Sequence, residues 1–111
     1  MPTTVSYHPR FDKTLDRLER KYPRTIDTVD TLIDQLERDQ RPGQRIPRIG
    51  YTVYKVRLPN RAAGRGKSGG FRVIYYAQFS DRVTLLTIYS KTDDTDISTA
   101  EIRQLALEAE Q

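Results

Sequence analysis

The chain has 111 residues, 36% hydrophobic and 31% charged, with a net charge of +4 and a pI near 9.5. That length suits one domain with a modest core. The lack of cysteine excludes disulfides and thiolate metal sites, and no apolar run approaches the roughly 20 residues of a membrane span.

Thr3 to Tyr7 is short and partly β-prone, an edge strand or an arm. Met1 to Arg10 lacks the apolar centre of a signal peptide, so a cytoplasmic protein without membrane contact is expected. Phe11, Leu15, Leu18 and Tyr22 then recur on one face of a helix, with a charged face opposite and Pro23 as the stop. A second helix is expected from an N-cap at Thr25. Asp27 and Asp30 stand in its first turns, Ile26, Val29, Leu32, Ile33 and Leu36 form its stripe, and Arg41-Pro42-Gly43 ends it. So short a separation predicts an antiparallel helical hairpin covering a sheet.

Gln44 to Gly50 reads as a connector. From Tyr51 the period becomes two: Tyr51, Val53, Lys55 and Arg57 share one strand face, and Thr52, Tyr54, Val56 and Leu58 the other. Pro59-Asn60 ends that strand. Phe71 to Gln78 is nearly all apolar, with Arg72 its single charge, and reads as a central strand. Ser80-Asp81-Arg82 turns the chain into a third strand, Val83 to Tyr89. After a polar loop, Ser98 and Glu101 fit a capping box and Ile97 with Ile102 a hydrophobic staple. Ile102, Leu105, Ala106 and Ala109 form the stripe of a terminal helix. The expected fold is α+β over residues 1–111: an N-terminal helical hairpin, an antiparallel meander with an optional N-terminal edge strand, and a C-terminal helix.

Charge singles out Tyr51 to Lys91. This stretch holds eight Lys or Arg (55, 57, 61, 65, 67, 72, 82, 91) and one acid, Asp81, for a net of +7; the rest nets −3. Such a segregated charge points to a polyanionic partner. The loop from Pro59 to Gly70 spans twelve residues with four glycines and three cations, Arg61, Arg65 and Lys67, whereas hairpin loops usually have about two to five residues. Glycines let a backbone approach phosphate closely. The run Gly64-Arg65-Gly66-Lys67-Ser68 is close to a nucleotide-binding loop, but Arg61 stands where the first glycine is needed and a strand follows rather than a helix.

Alternation brings Lys55 and Arg57 side by side, and neighbouring strands bring Arg72 and Lys91 towards them. A cation inside an apolar strand has either an ion-pair partner or a functional role. Seven of the ten aromatic residues are tyrosines. Such rings pack cores or stack on RNA bases; Tyr75 is assigned to the core and Tyr89 to function. His8, the only histidine, is expected to serve the surface. Asp93, Asp94 and Asp96 are expected to be solvated rather than metal-binding. A two-metal nuclease would need acids spread over the sheet, which has only Asp81, in a turn, so a mechanism without a metal is expected, and no other cofactor is expected.

Tyr54-Lys55-Val56-Arg57-Leu58, Gly66-Lys67-Ser68-Gly69-Gly70-Phe71-Arg72-Val73-Ile74-Tyr75-Tyr76 and Ile88-Tyr89-Ser90-Lys91 resemble the RelE/ParE toxin superfamily of type II toxin–antitoxin systems, and HigB-like members of its RelE branch in particular. The resemblance implies a RelE-like fold and an endoribonuclease (mRNA interferase) acting in the ribosomal A site. It implies attack of a ribose 2′-hydroxyl on the adjacent phosphate without metal or cofactor. By motif match, Lys55 and Arg57 take the place of the family's basic pair, Arg72 that of the arginine stabilising the pentacoordinate phosphate, and Lys91 lies near a further cation. Tyr89 assists or stacks on a base. Arg61, Arg65, Lys67 and Tyr54 become RNA or ribosome contacts. No tyrosine follows Tyr89 to match the C-terminal catalytic tyrosine of some members, and the Glu/His pair of YoeB-like members has no counterpart, so proton transfer stays unassigned. The expected partners are mRNA, the ribosome and a cognate antitoxin carrying a DNA-binding helix-turn-helix. The alternative is a ParE-like gyrase inhibitor without nuclease activity.

Overall fold

A computed structural model describes residues 2–59, 70–91 and 96–111. The order is β1 (Thr4–Tyr7), α1 (Pro9–Lys21), α2 (Thr25–Glu37), β2 (Gln44–Arg45), β3 (Val53–Leu58), β4 (Phe71–Phe79), β5 (Arg82–Ser90) and α3 (Thr99–Ala109). The strands form one sheet in the order β1-β5-β4-β3-β2. β3, β4 and β5 make the antiparallel meander, β2 adds antiparallel to β3, and β1 lies parallel to β5. The α+β fold is as expected. The sheet is wider by β2, inside what reads as a connector. None of the described helices is long and apolar enough to cross a membrane.

Both sheet faces carry apolar clusters. The helical hairpin buries Phe11, Leu18, Val29, Leu32 and Leu36 against Val56, Leu58, Val73, Tyr75 and Leu85. On the opposite face, Ile102, Leu105 and Ala106 of α3 pack with Val53, Ile74, Tyr76 and Leu86. Burial of about 1.5–3 kcal/mol per large apolar side chain makes these two layers the source of stability. Ile26, counted in the α2 stripe, is 37% exposed at the start of its helix. Tyr75 is fully buried, and its hydroxyl donates to the Pro42 carbonyl.

Helix ends follow local chemistry. His8 caps α1, its Nδ1 accepting from the Arg10 amide at 2.8 Å, with Pro9 in the first turn. The His8 Nε2 lies 2.7 Å from Glu108 Oε1 of α3. Past the end of β1, the His8 amide donates to the Leu85 carbonyl, and Thr14 Oγ1 accepts from the Ile88 amide at 3.3 Å. α1 thus satisfies the edge of β5 that β1 does not reach. At α2 the cap position is Arg24, and Thr25 lies just inside the helix, its hydroxyl donating to the Tyr22 carbonyl. That helix also stops short of Arg41-Pro42-Gly43. Asp39, at φ +67°, donates to Leu36, and Gln40 donates to Gln35, the pattern that closes a helix with a left-handed residue. Ser98 caps α3 by accepting from the Glu101 amide at 3.1 Å, as its sequence predicts.

Two glycines set the spacing of β3. Gly43, at φ +93°, stands just before β2, where a Cβ would collide with the Lys55 carbonyl and lie 2.9 Å from Val56 Cα. Only glycine combines that backbone angle with that close approach. At Gly70 a Cβ would lie 2.7 Å from the Leu58 carbonyl oxygen, so the head of β4 also depends on a bare α-carbon.

Candidate functional site

The strand register builds a row across the sheet. Arg57 of β3 is the direct partner of Arg72 on β4, and Arg72 is the direct partner of Tyr89 on β5. Directly paired residues project to the same side. Lys55, two residues before Arg57, shares that face and pairs with Ile74. Lys91 follows the end of β5, its amide donating to the Gly70 carbonyl at 3.1 Å. Lys55, Arg57 and Lys91 are exposed and Arg72 is half-buried.

The two guanidinium groups converge. A Cβ placed on Gly70 would be 3.5 Å from Arg72 Nη1 and 3.8 Å from Arg57 Nε. Arg72 Nη1 reaches the Phe71 carbonyl at 3.4 Å, and among the described residues it makes no ion pair. Of the two roles open to a cation in an apolar strand, the ion-pair role therefore has no support among the described residues.

Tyr89 closes the row. Its side chain is 6% exposed, and its hydroxyl donates to Asp96 Oδ1 at 2.8 Å. Burial, with help from the Asp96 carboxylate, raises its pKa above the ordinary phenol value, while Arg72 opposes that shift. The other carboxylate oxygen, Oδ2, accepts from Lys91 Nζ at 3.0 Å. Hydrogen bonds from Lys91 and Tyr89 hold the Asp96 carboxyl below its usual range, with Lys55 adding to the effect at longer reach. Asp96 was expected to be merely solvated. It is the residue that sequence reasoning missed, because only the return of the chain into α3 sets it over β5.

A cleft of about 330 Å³ adjoins the row, lined by Gln44, Ile46, Lys55, Ile74, Asp96 and Ile97. Two larger clefts, about 470 Å³ each, lie apart from it: one along residues 45–52, the other beside His8 and the end of α3. Neither is lined by any residue of the row. The row carries the stronger functional signal, since a polyanion binds an open cationic surface and needs no enclosed cavity.

Tyr54 stands apart from the other expected site residues. It is on the hairpin side of β3, stacked on Tyr75 with ring centroids 5.1 Å apart. A ring used in that way packs the core, which separates it from the cationic face. Tyr51 and Tyr76 meet edge to face under α3. Arg61, Arg65 and Lys67 lie outside the described residues, as do Asp93 and Asp94. The ends of their loop, Pro59 after β3 and Gly70 before β4, stand at the Arg57–Arg72 end of the sheet.

Among curated proteins none matches the chain. A family model described as the RelE toxin of the RelE / RelB toxin–antitoxin system matches residues 13–111. That span takes in most of the hairpin, every strand of the cationic row and α3, and the chain therefore belongs to the RelE toxin family, the toxin half of a toxin–antitoxin pair.

Proposed function

We propose that this toxin is an endoribonuclease that cuts mRNA in the ribosomal A site without a metal ion. The observation that carries the reading is the Arg57–Arg72–Tyr89 row with Lys55 and Lys91 on its flanks. In this reaction the 2′-hydroxyl of one nucleotide attacks the adjacent phosphorus. The bond from O2′ to phosphorus forms and that to the next O5′ breaks, leaving a 2′,3′-cyclic phosphate and a 5′-hydroxyl. Charge accumulates on the non-bridging oxygens at the pentacoordinate stage. Arg72, held half-buried at the centre of the row, is suited to that charge, because a guanidinium offers paired N–H donors to two phosphate oxygens. Arg57 supplies a second fork beside it. Lys55 neutralises a flanking phosphate, Lys91, paired with Asp96, has N–H donors left for another, and Tyr89 contacts the ribose or base beside the scissile bond. Arg61, Arg65 and Lys67 would extend the cationic surface to RNA or ribosome. The hairpin-side ring of Tyr54 argues against an RNA contact there. The partner antitoxin is proposed to carry a DNA-binding helix-turn-helix.

Primer extension on cellular mRNA after induction, with and without translation, tests the reading. Cuts inside translated messages, lost when initiation is blocked and lost with Arg72→Ala, are expected. Gyrase-linked DNA damage with intact mRNA would replace this reading with that of a gyrase inhibitor.

A further inference from the structure

Asp96 is bound through both carboxylate oxygens to two side chains of one strand end. Oδ1 takes the Tyr89 hydroxyl and Oδ2 takes the Lys91 ammonium. These are the last two members of the cationic face, two residues apart. Asp96 itself comes from the far side of the 92–95 segment. It is placed by α3, where Ser98 caps the helix and Ile97 packs with the Ile102 cluster. We infer that Asp96 is a positioning residue of the nuclease site, fixing the Tyr89 phenol and the Lys91 ammonium in one two-pronged grip; the inference rests on the nuclease reading above.

The chemistry of a phenol gives the grip its consequence. A hydroxyl has one proton, and that of Tyr89 is committed to Asp96. What Tyr89 presents to a nucleotide is therefore the acceptor side of its oxygen. An acceptor beside Arg72 suits a ribose hydroxyl, a donor, and not a phosphate oxygen. Arg72 and Arg57 present only donors, which suit the phosphate. The row thus distinguishes the two reacting groups, and Asp96 sets the polarity at the Tyr89 end. Lys91 keeps two N–H donors beyond the one given to Asp96.

Stability does not account for this arrangement. The Lys91 and Asp96 side chains are 47% and 51% exposed, and pairs so exposed contribute little to folding. Orientation accounts for it better: a reacting group displaced by about 1 Å costs on the order of a hundredfold in rate.

The test compares wild type, Asp96→Asn and Asp96→Ala in single-turnover cleavage of mRNA on ribosomes, with carbon-labelled tyrosine followed by NMR at neutral pH. Asp96→Asn is expected to lower the maximal rate roughly ten- to a hundredfold, with half-saturation changed less than about threefold. It should also move the Tyr89 Cζ resonance, identified by its loss in Tyr89→Phe. An unchanged rate in Asp96→Asn, with wild type active, overturns this inference alone. So does an unmoved Tyr89 resonance, or a loss that follows only the fraction of unfolded protein. Wild-type protein that cuts no mRNA overturns the nuclease reading and this inference with it.

Discussion

Arg57 and Arg72 face each other as direct cross-strand partners on β3 and β4, their guanidinium groups converging beside the bare α-carbon of Gly70. Like charges placed opposite one another weaken a sheet by up to about 1 kcal/mol. An anion seated between them removes that penalty. On the nuclease reading, that is where the scissile phosphate would sit.

Arg72→Ala separates these two effects. Cleavage is expected to fall by roughly a hundredfold or more, the usual size for losing a donor to a transition-state oxyanion. Thermal stability should hold or rise, by at most about 1 kcal/mol. Cleavage assays beside thermal denaturation check both. A large loss of stability would show that Arg72 serves the fold.

Asp96 gives a pH dependence. Its carboxyl is held below its usual range by Lys91 first and Tyr89 second. A depressed carboxylate stabilises the fold above its unfolded pKa of about 4, and the contribution is lost as pH falls through the lower folded value. Asp96→Asn should therefore lower stability slightly at neutral pH and flatten the acid slope below about pH 4, the two proteins converging as pH falls through the lower folded value. Denaturant midpoints across the acid range test this.

Gly43→Ala addresses how Lys55 is held. The substitution forces a Cβ against the Lys55 carbonyl at a φ of +93°. A loss of about 1–3 kcal/mol is expected, with β2 pushed off β3. Amide exchange should show the loss of the Ile46 amide bond to the Val53 carbonyl, 2.8 Å in the native fold. Full protection of that amide would show that the backbone absorbs the extra carbon elsewhere.

Leu105→Ala tests the role of α3. Leu105 is 3% exposed in the layer with Val53, Ile74 and Leu86. Truncating such a leucine costs about 2–5 kcal/mol. The loss should fall on α3 first, since the hairpin layer packs on the opposite face. Hydrogen exchange is expected to rise in α3 while Phe11 and Leu32 stay protected, and cleavage to drop along with Asp96 anchoring. Uniform acceleration across the chain would contradict this order.

The elements most legible in the sequence were those whose signal is local. The Phe11, Leu15, Leu18 and Tyr22 spacing marks α1, and Ser98 with Glu101 marks the start of α3. Alternation along residues 53–58 places Lys55 and Arg57 together, and it also sets Tyr54 on the other face. What the sequence concealed depends on distant pairing. β2 has two residues and no pattern of its own; it exists because Gly43 lets it lie against β3. The parallel register of β1 leaves no trace in Thr4–Tyr7, whose partner is a strand far along the chain. Asp96 looks like its acidic neighbours until α3 sets it over Tyr89.

That distant pairing imposes a schedule on synthesis. Thr4 emerges from the ribosome first, yet it has no partner until Arg82 has been made. The cationic row is incomplete until Tyr89, and its carboxylate arrives with Asp96. Contacts this far apart in sequence form late, since the intervening loop must close before they reward it. A nascent chain thus carries cations on β3 and β4 well before it can align them with Tyr89. The cationic face therefore exists as an aligned surface only once the chain has been made as far as Asp96.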